Sequence, residues 1–132
     1  MIAFGGEDRF WLWPEGGEYS IVFKPGDPFD LDHWFTPSPI NEGEYAVVEK
    51  SASRLSFHKD MKVRNYSNAE FLLRLDRDVR LLERAELERV FGTKVDPDLA
   101  CVGFESNNRI TNTGAAAWRE ETGLLSVWIL GT

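Results

Sequence analysis

The sequence predicts an all-β, mainly antiparallel fold with one short helix. Most of the chain consists of short segments in which apolar and polar residues alternate, as in strands with one buried face. Glycine pairs at Gly5-Gly6 and Gly16-Gly17 separate the first of these segments. Helical and strand patterns do not alternate along the chain, which argues against a parallel sheet.

The clearest alternation runs from Phe71 to Leu82. One face carries Phe71, Leu73, Leu75, Val79 and Leu81, whereas Arg74, Asp76, Asp78 and Arg80 fall on the other. The predicted strands are Ile2–Phe4, Arg9–Trp13, Ser20–Lys24, Tyr45–Glu49, Arg54–His58, Met61–Tyr66, Phe71–Leu82, a strand within Cys101–Gly114 that ends in polar residues, and Leu124–Leu130.

Residues 1–132 are predicted to form a single β-sandwich domain or a fragment of a larger sandwich. The proline-rich segment 25–44 is predicted to be a long ordered loop, a kind of segment that often carries function. The short helix is predicted at 83–91, where an apolar stripe precedes Gly92, a residue suited to a helix C-terminus.

Charge and composition exclude several classes of partner. The formal net charge of -7 disfavours nucleic acid and anionic membrane surfaces, since both attract positive proteins. We predict no signal peptide, no transmembrane segment and no cofactor. His33, His58 and Cys101 lack the spacing of a metal site, so no metal is predicted. Cys101 lies in the apolar run LACVGF, where we expect a buried, unreactive thiol.

Three stretches combine aromatic and polar residues in a way that allows two interpretations. They are GGEDRFWLWPEGG with Arg9 and Trp11, DLDHWFTP with His33 and Trp34, and FESNNRITNTG with Glu105, Asn107 and Arg109. Each is typical of a turn with core packing or of a satisfied polar network. Each also suits a saccharide, because aromatic faces cover sugar rings while polar side chains bond their hydroxyls.

The blocks GGEDRFWLWPEGG, FKPGDPFDLDHW, ESNNRITNTG and WREETGLLSVWILG resemble those of a bacterial family of uncharacterised proteins related to the galactose-mutarotase-like group. The resemblance covers essentially the whole chain. It implies a partial β-supersandwich that binds carbohydrate on a concave sheet. Many members of that group are aldose epimerases or domains of polysaccharide lyases and glycosidases.

The resemblance also implies a set of site residues. Mutarotase chemistry uses a carboxylate base and histidine acids, and this chain offers His58, Glu105 and His33 as those residue types. No motif matches them position by position. The predicted ligand-binding residues are Arg9, Trp11, Trp34, Arg74, Asn107 and Arg109, most of them expected on one polar concave face with His58 and Glu105.

The function predicted on this basis is carbohydrate binding or processing, and whether the chain is an enzyme stays open. The alternative is a non-catalytic, self-associating β-domain without a sugar ligand. The segment 124–130 is apolar on both faces, which is typical of a strand in the middle of a sheet. We therefore expect a fragment of a larger sandwich that forms a homo-oligomer through 124–130, or a monomer that tucks this strand between its own sheets.

Overall fold

The computed structural model describes residues 8–131, without the side chain of Leu130. The elements are β1 (Arg9–Trp13), α1 (Ser38–Asn41), β2 (Ala46–Lys50), β3 (Arg54–Arg64), β4 (Glu70–Leu81), α2 (Arg84–Phe91), β5 (Phe104–Asn112), a 3-10 turn (Glu120–Thr122) and β6 (Ser126–Leu130). The strands of both sheets pair in antiparallel fashion. The predicted all-β class with one short helix is confirmed.

Two sheets form the described part of the molecule. The larger sheet has the order β2-β3-β4-β5, and β1 pairs with β6 in a two-stranded ribbon. The long strands β3 and β4 pair in continuous register from Arg54 opposite Arg80 to Arg64 opposite Glu70. Because side chains alternate along a strand, this register assigns every residue of the two strands to one of two faces.

The inner face of the larger sheet carries the hydrophobic core. Buried residues from β3 and β4 pack against β1 and against partly buried residues of β6. The inner-face core residues of the two strands are Met61, Val63, Phe71, Leu73 and Leu75. The opposite face of the sheet, which we call the outer face, is polar along most of its length.

The segment Ser20–Lys24 is not a strand, and this prediction was wrong. Residues 20–23 are buried, yet they follow an irregular path beneath the ribbon. Their backbone groups bond outside any sheet: the Ile21 amide donates to the Pro14 carbonyl, and the Ser20 carbonyl accepts from the Tyr66 amide. Buried backbone groups must be paired, but nothing requires that the partner be a strand.

Other predictions differ from the structure in position or burial. The predicted strands 54–58 and 61–66 are one strand, β3, and the last strand begins at Ser126 and pairs with β1. Cys101 is exposed, because it lies before β5 begins at Phe104, so the expected burial was wrong. The predicted strand 2–4 lies outside the described residues.

The helix α2 ends as its sequence predicts. Gly92 adopts φ 67°, a left-handed conformation that glycine reaches without strain, and its amide donates to the Glu88 carbonyl. At the other end, Glu83 and Glu86 form a reciprocal capping box. Among the described residues the longest helix has 8 residues, and none is long and apolar enough to span a membrane.

A largely buried ion pair joins Asp8, the residue before β1, to the inner face of the larger sheet. Arg77 points inward from β4 and donates to the Asp8 carboxylate at 2.7 Å and to the Asp8 carbonyl at 3.1 Å. The hydroxyl of Ser106 donates to the same carboxylate, and the Asn108 amide donates to Ser106. The side chains of Arg77 and Asp8 are only 11% and 15% exposed, so removing either partner would leave the other charge largely shielded from water.

We expect Arg77→Met to reduce the free energy of unfolding by about 3 kcal/mol, because it leaves the nearly buried Asp8 carboxylate without its cation. Urea denaturation measures the loss. The matched control is Arg54→Met, which removes an exposed partner of Asp78 and should cost less than about 1 kcal/mol. Equal losses in the two variants would show that the buried pair has no special role.

Candidate functional site

The outer face of the larger sheet brings polar residues from three strands into rows. The register places His58 opposite Asp76 and Asp76 opposite Arg109. The neighbouring rows on the same face are Asp60–Arg74–Thr111, Ser56–Asp78–Asn107 and Arg54–Arg80–Glu105. Four rows of polar side chains therefore face away from the core.

Many charges on this face are already paired. Arg74 donates to both carboxylate oxygens of Asp60, at 2.9 and 3.1 Å, and this pairing lowers the pKa of Asp60. Arg80 donates to both oxygens of Glu105, at 3.2 and 3.3 Å. Such exposed pairs add little to stability, but they occupy hydrogen-bonding atoms that a ligand would need.

A groove of about 270 Å³ crosses the outer face. Its lining residues come from β2, β3, β4 and β5, and they are Val48, Ser56, Phe57, Asp76, Arg77, Asp78, Asn107 and Arg109. Val48 reaches the groove because an irregularity in β2 interrupts the register between Val47 and Glu49. Bulges of this kind redirect side chains near binding sites.

The two carboxylates in the groove differ in their partners. Asp78 accepts hydrogen bonds from Arg54, which lower its pKa, and Ser56 adds to the same effect. The nearest cation to Asp76 is the Arg109 guanidinium, at 3.7 Å, which is longer than a hydrogen bond. Both oxygens of Asp78 therefore already accept hydrogen bonds, whereas within the described residues neither oxygen of Asp76 accepts one from a side chain.

Three further side chains near Asp76 keep their hydrogen-bonding capacity. His58, Asn107 and Arg109 make no side-chain hydrogen bond to any other residue in the described part of the chain, and the Arg109 side chain is 75% exposed. Together with Asp76 they offer a carboxylate acceptor, an amide, an imidazole and a guanidinium. We call these four residues the open cluster.

The structure brings only some of the sequence-predicted residues together. His58, Asn107 and Arg109 belong to the open cluster, whereas Arg74 and Glu105 share the outer face but are engaged in ion pairs. His58 and Glu105 lie two strands and four residues apart, a backbone separation of about 16 Å. They are too distant to act as an acid and a base on one anomeric carbon.

Arg9, Trp11 and Trp34 lie on the other side of the sheet, so the shared face expected for Arg9 and Trp11 with His58 is not formed. Trp11 is buried in the core and stacks on Trp34 with a centroid distance of 6.0 Å and an angle of 4°. The Arg9 guanidinium lies 4.9 Å from the Trp11 ring and donates to Asn41. These residues hold loop 25–44 against the ribbon.

Lys59 fixes the same loop from the inner face of β3. Its ammonium donates to the Pro39 carbonyl at 2.7 Å and to the Glu42 carbonyl, and it lies 5.2 Å from the ring of Tyr45. Burial lowers the pKa of Lys59. The interior cations of the sheet therefore serve the fold, and the open cluster is the better candidate for ligand contact.

Asp76 was not among the site residues predicted from the sequence. Asp76 and Asp78 were equivalent in the alternation of β4, and only the cross-strand partners distinguish them. The sequence did indicate the polar face to which Asp76 belongs, because β3, β4 and β5 each carry polar residues at alternate positions. Among the described residues no group of three His, Cys, Asp or Glu side chains is placed to hold a metal ion.

A family model described as a family of unknown function (DUF6786) matches residues 1–132. The chain belongs to this family. No curated protein and no solved structure matches the chain. Membership of this family therefore does not indicate a reaction or a ligand for the chain.

His33 lies on loop 25–44 and bonds to Asp30, with 2.6 Å between Nδ1 and the carboxylate. This hydrogen bond raises the pKa of His33 and lowers that of Asp30. We expect an NMR titration to show the pKa of His33 raised above the ordinary value for histidine, and Asp30→Asn to remove the elevation. An unchanged His33 pKa in the variant would show that the pair does not persist in solution.

Proposed function

We propose that this protein binds a saccharide in the groove on the outer face of the larger sheet. The observation that carries the proposal is the open cluster: four adjacent polar side chains keep their hydrogen-bonding atoms available while the charges around them are paired. The resemblance of the chain to the galactose-mutarotase-like group supports the same ligand class.

The chemistry of the open cluster suits vicinal hydroxyl groups. Sugar hydroxyls both donate and accept, so they require acceptors and donors side by side. Asp76 accepts two hydroxyl protons, while Arg109 donates to hydroxyl oxygens and Asn107 does both. Val48 adds an apolar contact to the wall of the groove. Because these groups lie on paired strands, ligand binding requires little reordering of the backbone.

We expect the protein to bind the saccharide without converting it efficiently to a product. Acid and base groups must reach the same substrate atoms within hydrogen-bond distance. His58 belongs to the open cluster, but the predicted partner Glu105 is held by Arg80 two rows away. The groove lies open to solvent along one sheet, and we expect dissociation constants in the millimolar range, about −4 kcal/mol of binding free energy.

Titration with D-glucose and D-galactose, followed by backbone amide NMR, tests the proposal. We expect shifts in the amides of β3, β4 and β5 around the groove. Arg109→Gln should weaken binding about fivefold, because it removes a charged donor. The matched control Arg74→Gln changes the same residue type on the same face outside the groove and should leave affinity unchanged. The absence of amide shifts with neutral hexoses and with their oligosaccharides would contradict the proposal.

Self-association through the ribbon is a second candidate function, favoured by two exposed tryptophans. Trp13 and Trp128 are 49% and 40% exposed and pack edge to face at 6.0 Å. Large exposed aromatic surface often marks an interface. Within the described residues β6 pairs only with β1, which leaves its other edge available to a second chain.

We expect light scattering to detect a homodimer or a higher closed oligomer, and Trp128→Lys to shift it towards monomer. Leu31→Lys is the control, because Leu31 is an exposed apolar residue of loop 25–44. A monodisperse monomer of the wild-type protein at micromolar concentrations excludes the interface. A dimer that survives Trp128→Lys places its interface away from β6.

A further inference from the structure

The two carboxylates of the groove each face a cation on a neighbouring strand, while the lining residue Arg77 is held on the inner face by Asp8. Asp78 is paired with Arg54, and Asp76 faces Arg109 at 3.7 Å from the directly opposite position on β5. Arg109 is the cation of the open cluster. Its positive charge is therefore offset by Asp76 even though its N–H donors remain available.

We infer that Asp76 makes the groove select uncharged saccharides over those that carry a carboxylate, an inference that rests on the proposed function. A hydroxyl group gains a charge-assisted hydrogen bond from Asp76. A sugar carboxylate gains nothing there, because two like charges repel each other at contact distance. Because an Arg109 guanidinium nitrogen lies 3.7 Å from the Asp76 carboxylate, a sugar carboxylate bound to Arg109 also lies in the field of that negative charge.

Asp76 is thus a specificity-determining residue, and its replacement should change the preferred ligand. Asp76→Asn preserves the shape of the side chain and removes one negative charge from the groove. The Arg109 guanidinium is then released from its facing carboxylate and can bind a sugar carboxylate through two parallel hydrogen bonds. The same substitution weakens the contacts to neutral sugars, since an amide oxygen accepts less strongly than a carboxylate.

The experiment compares D-glucose with D-glucuronate and D-galactose with D-galacturonate on the full chain, by the amide NMR titration. We expect the wild-type protein to bind the neutral member of each pair on the order of tenfold more tightly at low salt. In Asp76→Asn the ratio should shift by on the order of tenfold towards the acid. Added salt should narrow the difference in the wild-type protein, because it screens exposed charges.

Asp60→Asn is the matched control. Asp60 lies on the same outer face, one row from Asp76, and its partner Arg74 does not line the groove. The control removes the same charge and should leave the neutral-to-acid ratio unchanged. An equal shift in both variants overturns the inference, because net charge rather than Asp76 would then set the preference.

The outcomes separate the inference from the proposed function. Wild-type protein that binds uronates as tightly as neutral sugars overturns the role of Asp76 and leaves saccharide binding intact. Protein that binds neither member of either pair overturns both. The inference is supported if the wild-type protein prefers the neutral sugar and if this preference is reduced in Asp76→Asn but not in Asp60→Asn.

Discussion

The continuous register of β3, β4 and β5 is the constraint on which both the core and the groove depend. It places Leu73 and Leu75 inward and, in the same strand, Asp76 and Asp78 outward at positions opposite the polar residues of β3 and β5. A slip of one residue would bury the polar row and expose the apolar one. The free energy that specifies the core therefore also specifies which side chains meet at the groove.

Arg77 is the main departure from this division, and it links the two sheets. The residue lies between Asp76 and Asp78 but points inward to Asp8, so three consecutive residues serve both faces of β4. A buried ion pair adds little net stability, because both charges lose water. Its geometric effect is to attach Asp8, the residue directly before β1, to the inner face of the larger sheet.

The sequence was sufficient for features that depend on local pattern and insufficient for those that depend on neighbours in space. Alternation predicted β4 closely and β3 as two shorter strands, and Gly92 predicted the end of α2. Alternation also allowed both faces of β1 to be buried, and only the packing of loop 25–44 shows that Trp11 is core. Cys101 lies in an apolar run that no sheet covers. Burial there is decided by tertiary structure.

The candidate site could be predicted as a face but not as a set of residues. Alternation alone places Arg74, Glu105 and Arg109 on polar faces and does not distinguish them as candidates for ligand contact. What separates them is the residue opposite: Arg74 meets Asp60 and Glu105 meets Arg80, each with two hydrogen bonds, whereas Arg109 stands at 3.7 Å from Asp76. The charges on this face therefore differ in the partners that the register gives them, and those partners come from other strands that the local pattern does not reveal. Because Asp76, Asn107 and Arg109 lie on paired strands, the packing that holds the core in register also fixes the backbone positions from which these three side chains extend.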